Sequence, residues 1–334
     1  MTKAMVKFCC GIVRPADRSP WTLAVLGAVG VIAVAFVIGF TGLAPTLHQS
    51  IAGVLTRANA TDLRKPNAPV AIASRVRLNE HFSSMGYDLA RVRAGIAPVP
   101  RILLAKIPRD MAAMKQPAER KAVFLRLMLP LILAANERVL RQRAQILLFR
   151  AKRAAGLPLN GRQEQRLATI AAEYRADAKA LDRLLAKVDA VPPSLALAQA
   201  AIESGWGTSR FIVEGNAPFG QWTSGAHEGL VPKNRDPGKT HKIRRFKHLI
   251  DSVHSYLKNL NTHRAYRTFR AQRSQFRTAG KRLDGSALVS ALGAYSETKD
   301  HYIELLRNVI RVNNLKSLDG ARLGAPIPRT TPRA

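Results

Sequence analysis

The chain has 334 residues, with 53 Lys and Arg against 22 Asp and Glu, a formal net charge of +31. A hydrophobic fraction of 47% excludes wholesale disorder. The charge implies a polyanionic surrounding, whether nucleic acid, an anionic membrane face or an acidic wall polymer, without choosing among them. The two cysteines, Cys9 and Cys10, are adjacent and cannot staple the fold.

Residues 1–20 carry Lys3, Lys7, Arg14 and Arg18 and precede an uncharged apolar run from Trp21 to Ala44. That run is long enough to span a bilayer as a helix and longer than a signal-peptide core. Only Arg57 and Arg64 follow it closely, so the flanking charges predict a cytoplasmic tail at 1–20, a transmembrane anchor at 21–44 and an outward-facing remainder. Residues 45–105 are interrupted by Pro66, Pro69, Pro98 and Pro100 and read as a tether and lead-in.

Residues 106–190 read as a helical domain. The pattern is helical from Asp110 to Gly156 with a break or kink at Pro130, and again from Arg162 to Asp189, where Leu167, Ile170, Ala171, Tyr174, Ala178, Leu181, Leu185 and Val188 form one stripe.

Residues 191–316 read as the catalytic domain. Pro192 and Pro193 stop any preceding helix and Ser194 can cap a new one, in which Leu195, Ala198 and Ile202 mark the buried face. Gly205 and Gly207 end it. Glu203 then sits in the last turn on the same face as Gln199, with Trp206 just beyond. The negative end of the helix dipole and an apolar indole both disfavour ionisation, as a general acid requires. Strands are predicted at Phe219 to Thr223, Leu230 to Pro232 and Lys242 to Phe246, with turn chemistry at Asn234 to Gly238. Helices resume at Leu249 to Leu260, Ser286 to Gly293 and Asp300 to Val312, and 317–334 read as a disordered basic tail.

The string from Ala198 to Phe211 (AQAAIESGWGTSRF), followed by Gly215 to Trp222 (GNAPFGQW), resembles the signature of bacterial peptidoglycan N-acetylglucosaminidases, and within them the Bax-like proteins. The resemblance continues through Tyr256 to His263 and Tyr295-Ser296-Glu297, and reaches upstream to Arg120 to Phe124 and Leu129 to Glu137. It implies a mainly α (α+β) chain with a lysozyme-like helical lobe and a small β-hairpin lobe. It implies Glu203 as the acid and Tyr295 as the active-site tyrosine. Gln199, Asn216 and Tyr302 are candidate substrate-binding residues, and Trp206, Phe219 and Trp222 offer planes on which sugar rings can stack, although each could equally be core.

Glycoside hydrolysis commonly needs a second carboxylate, for which Glu228, Asp236 and Glu297 are candidates, unless the substrate's N-acetyl group assists. The segment Asn216-Ala217-Pro218-Phe219-Gly220 departs from the family's Asn-Asn-Leu-Phe-Gly at two positions. The histidines form no ligand motif and no phosphate-binding glycine pattern appears, so neither metal nor cofactor is expected.

The resulting expectation is an inner-membrane, single-pass hydrolase acting outside the cytoplasm on peptidoglycan glycan strands, at the β-1,4 bond after N-acetylglucosamine. A muramidase or lytic transglycosylase on the same fold, and a non-catalytic wall-binding scaffold, are the alternatives. A nucleic-acid partner is not expected, because the topology removes the domain from the cytoplasm.

Overall fold

The computed structural model describes residues 68–223, 229–232, 240–295 and 299–325. All of them belong to the second of two compact units, Pro66–Ala334. The anchor expected at 21–44 lies outside the described residues; among these, no helix is long and apolar enough to cross a membrane.

The unit is mainly helical. In chain order it contains α1 (Arg75–Ser84), α2 (Leu89–Arg93), the long α3 (Pro117–Ala154), α4 (Gly161–Glu173), α5 (Leu181–Lys187), α6 (Pro193–Ser204) and α7 (Arg210–Gly215). Three short strands follow, β1 (Trp222–Thr223), β2 (Gly229–Leu230) and β3 (Lys242–Arg244), and then α8 (Leu249–Thr262), α9 (Arg267–Thr278), α10 (Gly285–Leu288) and α11 (Lys299–Val312). The sheet is antiparallel in the order β1-β3-β2, with Trp222 opposite Ile243 and Leu230 opposite the same residue on the other side. Ala217, Ile243 and Phe246 give this lobe its own small core, so the residue replacing the family's second Asn is buried in packing.

Four expectations need correction. First, the chain from Val70 is part of the fold: Leu78, Phe82 and Val99 are buried, and Val70 and Leu104 form a parallel bridge. Prolines stop a segment from being regular, but they do not keep it out of a core. Second, the expected boundary near residue 190 does not divide the molecule, because one hydrophobic cluster runs from Leu78 through Phe124, Leu184 and Leu197 to Leu318. Third, α3 passes through Pro130 as a single 38-residue helix, whereas the stripe expected over Arg162 to Asp189 is two helices, α4 and α5. Tyr174 closes α4, and Arg175 follows in a left-handed conformation.

The fourth correction concerns the tail. A 3-10 helix spans Leu315–Leu318 with both leucines buried, and the backbone of Arg322 to Gly324 pairs with Val99 (Val99 N to Arg322 O 2.8 Å, Gly324 N to Val99 O 2.9 Å). Arg101 ties it down further, donating to the Gly324 carbonyl at 2.6 Å and bidentately to Glu137 at 2.8 Å. Helix α9 has no counterpart among the expected elements. Its sequence is poor in apolar residues, and its buried face carries Phe269, Arg270 and Arg273.

Candidate active site

Helix α6 is buried along almost its whole length, from Pro193 to Ala201. Its first turn is held by a side chain from the far end of the chain rather than by Ser194. Ser194 N and Oγ donate to Asp319 Oδ1 and Oδ2 at 2.8 and 2.9 Å. The last turn ends as expected, with Gly205 in the left-handed region. Trp206 and Gly207 continue with positive φ. At Gly207 the conformation is required by packing as well, since a Cβ there would lie 2.5 Å from Ile107 Cδ1 and 3.1 Å from Phe124 Cδ2.

Glu203 projects from that last turn and is half-buried. Burial holds its carboxyl above the usual range, against the opposing effect of a hydrogen bond from Tyr302 Oη to Oε1 at 3.1 Å. Its other oxygen, Oε2, lies beside Gly220, where an added Cβ would stand 3.6 Å from it. Behind the carboxylate, Gln199 Nε2 donates to Tyr302 Oη at 3.0 Å, and Tyr256 Oη donates to Gln199 Oε1 at 2.6 Å. The i, i+4 spacing on α6 thus places Gln199 and Glu203 on two sides of one phenol.

Further tyrosines complete the wall. Tyr295 stacks on Tyr302 with ring centres 5.8 Å apart and donates to the Phe219 carbonyl at 3.2 Å. Tyr266 lies against Tyr295, and burial, with Glu203 nearby, raises its phenol to about 12. Glu203 is therefore surrounded by neutral phenols. A carboxyl in such a place is kept protonated at higher pH than in water, as a proton donor must be.

The structure separates the expected site residues. Glu203, Tyr295 and Tyr302 come together. Gln199 is fully buried, so it acts from behind the site and does not reach a substrate. Phe219 is also buried, stacked on Tyr256 at 3.9 Å with rings 3° from parallel, and is no sugar platform. Asn216 is buried in a left-handed conformation and donates from Nδ2 to the carbonyls of Phe246 and Lys247 at 2.9 and 3.0 Å. It fixes the β-lobe to α7.

Trp206 is half-buried, edge-on to Phe124 with Lys121 Nζ 5.1 Å above its ring. Trp222 is 67% exposed, far more than the other site aromatics, and stacks on His241 at 4.5 Å. Glu228, Asp236 and Glu297 lie outside the described residues. Tyr256 and Tyr266 are site residues that the sequence does not flag: Tyr256 lies in the apolar stripe of α8, where a tyrosine reads as core until its partners are known, and Tyr266 lies in a short 3-10 turn where no element is expected. Among the described residues no group of three or more His, Cys, Asp or Glu is placed to hold a metal.

Residues 178–315 match the glucosaminidase family model, described as mannosyl-glycoprotein endo-beta-N-acetylglucosaminidase. The chain is 32% identical over 192 residues to Protein bax of Escherichia coli (strain K12), an alignment covering 55% of this chain and 66% of the relative's length. No solved structure matches it. The match spans the helix bearing Glu203, the small sheet and the tyrosine wall, and the chain belongs to the glucosaminidase family as a Bax-like protein.

Proposed function

We propose that the protein is a peptidoglycan hydrolase that cleaves the β-1,4 bond after N-acetylglucosamine in wall glycan strands, with Glu203 as general acid. The observation that carries this reading is the setting of Glu203: half-buried among phenols, one oxygen occupied by Tyr302, the other beside Gly220. The proton passes from the carboxyl to the glycosidic oxygen as the bond from that oxygen to C1 breaks, and water then adds at C1. Trp222 offers an aromatic plane for a sugar ring, and Tyr295 shapes the cleft by holding the Phe219 carbonyl. Stabilisation of C1 falls to the substrate's N-acetyl oxygen or to one of Glu228, Asp236 and Glu297.

The excess of basic residues suits a polymer bearing peptide carboxylates. The uncharged run at 21–44, with its basic leading flank, supports anchoring in the inner membrane with the enzyme domain outside the cytoplasm. A reporter fused after Ala334 is expected to be active only outside the cytoplasm; cytoplasmic activity would overturn this placement.

Mass analysis of fragments released from purified peptidoglycan tests the reaction. Reducing N-acetylglucosamine ends are expected. Reducing or anhydro N-acetylmuramic ends would instead show a muramidase or lytic transglycosylase, and sedimentation with the wall without release would show a binding scaffold.

A further inference from the structure

We infer that Gln199 and Tyr256 are positioning residues that, through Tyr302, leave Oε2 as the proton-bearing oxygen of Glu203. The inference rests on the reading of Glu203 as the acid.

Each member of the chain has a limited supply of hydrogens. Tyr256 Oη spends its one hydrogen on Gln199 Oε1 at 2.6 Å. That orients the amide, so Nε2, which can only donate, faces Tyr302 Oη at 3.0 Å. Tyr302 Oη, already accepting from the amide, turns its own single hydrogen to Glu203 Oε1 at 3.1 Å. An oxygen that accepts from Tyr302 is a poor place for the carboxyl proton, which therefore resides on Oε2. That oxygen is the one beside Gly220, where an added Cβ would stand 3.6 Å from it. The chain is sealed: Gln199 and Tyr256 are fully buried, and Phe219 lies flat on the Tyr256 ring. After proton transfer the carboxylate keeps the Tyr302 hydrogen bond, so nothing need reorganise.

Among the described residues, the titratable groups grouped around Glu203 are Tyr302 on α11, Tyr256 on α8, and Tyr266 and Tyr295 in the 3-10 turns, all phenols that stay neutral near pH 7.

The test is a carboxyl-carbon NMR titration of full-length protein labelled at glutamate, with the Glu203 signal assigned by its loss in Glu203→Gln. Tyr302→Phe removes the donor to the ionised form, so the titration should move to higher pH. Tyr256→Phe frees the amide to turn its oxygen towards Tyr302, and Gln199→Met removes it; both should move the titration in the same direction. In hydrolysis of purified peptidoglycan, the alkaline limb of the pH profile should move with it, with kcat lowered about tenfold and KM unchanged. A titration moving down in Tyr302→Phe would show that the chain runs in reverse, with Glu203 donating to Tyr302, and would overturn the proposal. So would an unchanged titration in well-folded Tyr256→Phe, the mildest variant, since it deletes one hydroxyl. The titration is read on the resting protein. If the titrations move as expected in a protein that releases no wall fragments, the acid role fails while the chain stands; if fragments are released and the titrations do not move, the chain alone fails.

Discussion

Asp319 closes on Ser194 with both carboxylate oxygens, so the helix that presents Glu203 is capped by a residue 125 positions away in sequence. Gly285 N also donates to Asp319 Oδ2, at 3.1 Å. Burial raises the Asp319 carboxyl above its usual range in spite of these bonds. Asp319→Ala should lower stability by about 1–2 kcal/mol, in the range of a lost helix cap that strands buried donors. Urea unfolding measures it, and a midpoint unchanged from the parent would show that the contact contributes nothing.

For Glu203→Gln, turnover on purified peptidoglycan should fall on the order of 10²- to 10⁴-fold, because the amide keeps the shape of the side chain but has no transferable proton. Near-parental turnover would remove Glu203 from the acid role.

The same substitution has a pH-dependent effect on stability. Burial raises the folded-state pKa of Glu203 above its unfolded value. The folded state therefore binds the extra proton, and the stability this brings is complete below the unfolded pKa and lost as pH rises through the folded one. Glu203→Gln has no such loss. Its melting temperature should gain on that of the parent protein as pH rises through that window, and calorimetry at pH 5 and pH 8 shows whether it does.

Trp222→Ala should raise KM about fivefold with little change in kcat, the equivalent of about 1 kcal/mol of ring stacking. Because Trp222 is largely exposed, unfolding free energy should stay within about 0.5 kcal/mol. A collapse in stability would mean that the Trp222–His241 stack holds the sheet together rather than serving a ligand.

Arg273 is fully buried and donates to the carbonyls of Asp189, Ala190, Ala186 and Lys187 and to Asn261 Oδ1. Burial lowers its guanidinium to about 10, and Asp189, which also takes a bidentate pair from Arg277, sits beside it. Arg273→Ala should cost about 3–5 kcal/mol, because it leaves those acceptors without their donor. Arg273→Lys should recover little, since one ammonium cannot match the fork. Thermal unfolding of the two variants tests both statements.

The helix of Glu203 was legible in the sequence because its signals are local: two prolines at its start, a buried stripe within it and glycines after it. The β-lobe was legible for the same reason, from turn residues between short β-prone runs. Helix α9 was not, because its hidden face uses Arg270 and Arg273, and burial of an arginine depends on carbonyls supplied from elsewhere, Leu260 on α8 for Arg270, and Ala186 on α5 and Ala190 after it for Arg273. The roles of Gln199, Asn216 and Phe219 could not be read from the sequence either. Each lies within the motif and would serve as well for binding as for packing; the distant partners Tyr256 and Phe246 show the packing role. The tail misled through composition, since two of its scattered apolar residues, Leu318 and Leu323, dock on the core.

The crowded backbone at Gly207 and the Asp319 cap together set a minimum size for the working unit. One end of the acid-bearing helix is wedged against Ile107 and Phe124, the other is latched by residue 319, and all three lie outside the 178–315 stretch shared with the family. A graft cut to residues 178–315 would carry every tyrosine of the wall and neither clamp, so the portable module in this protein is larger than that stretch.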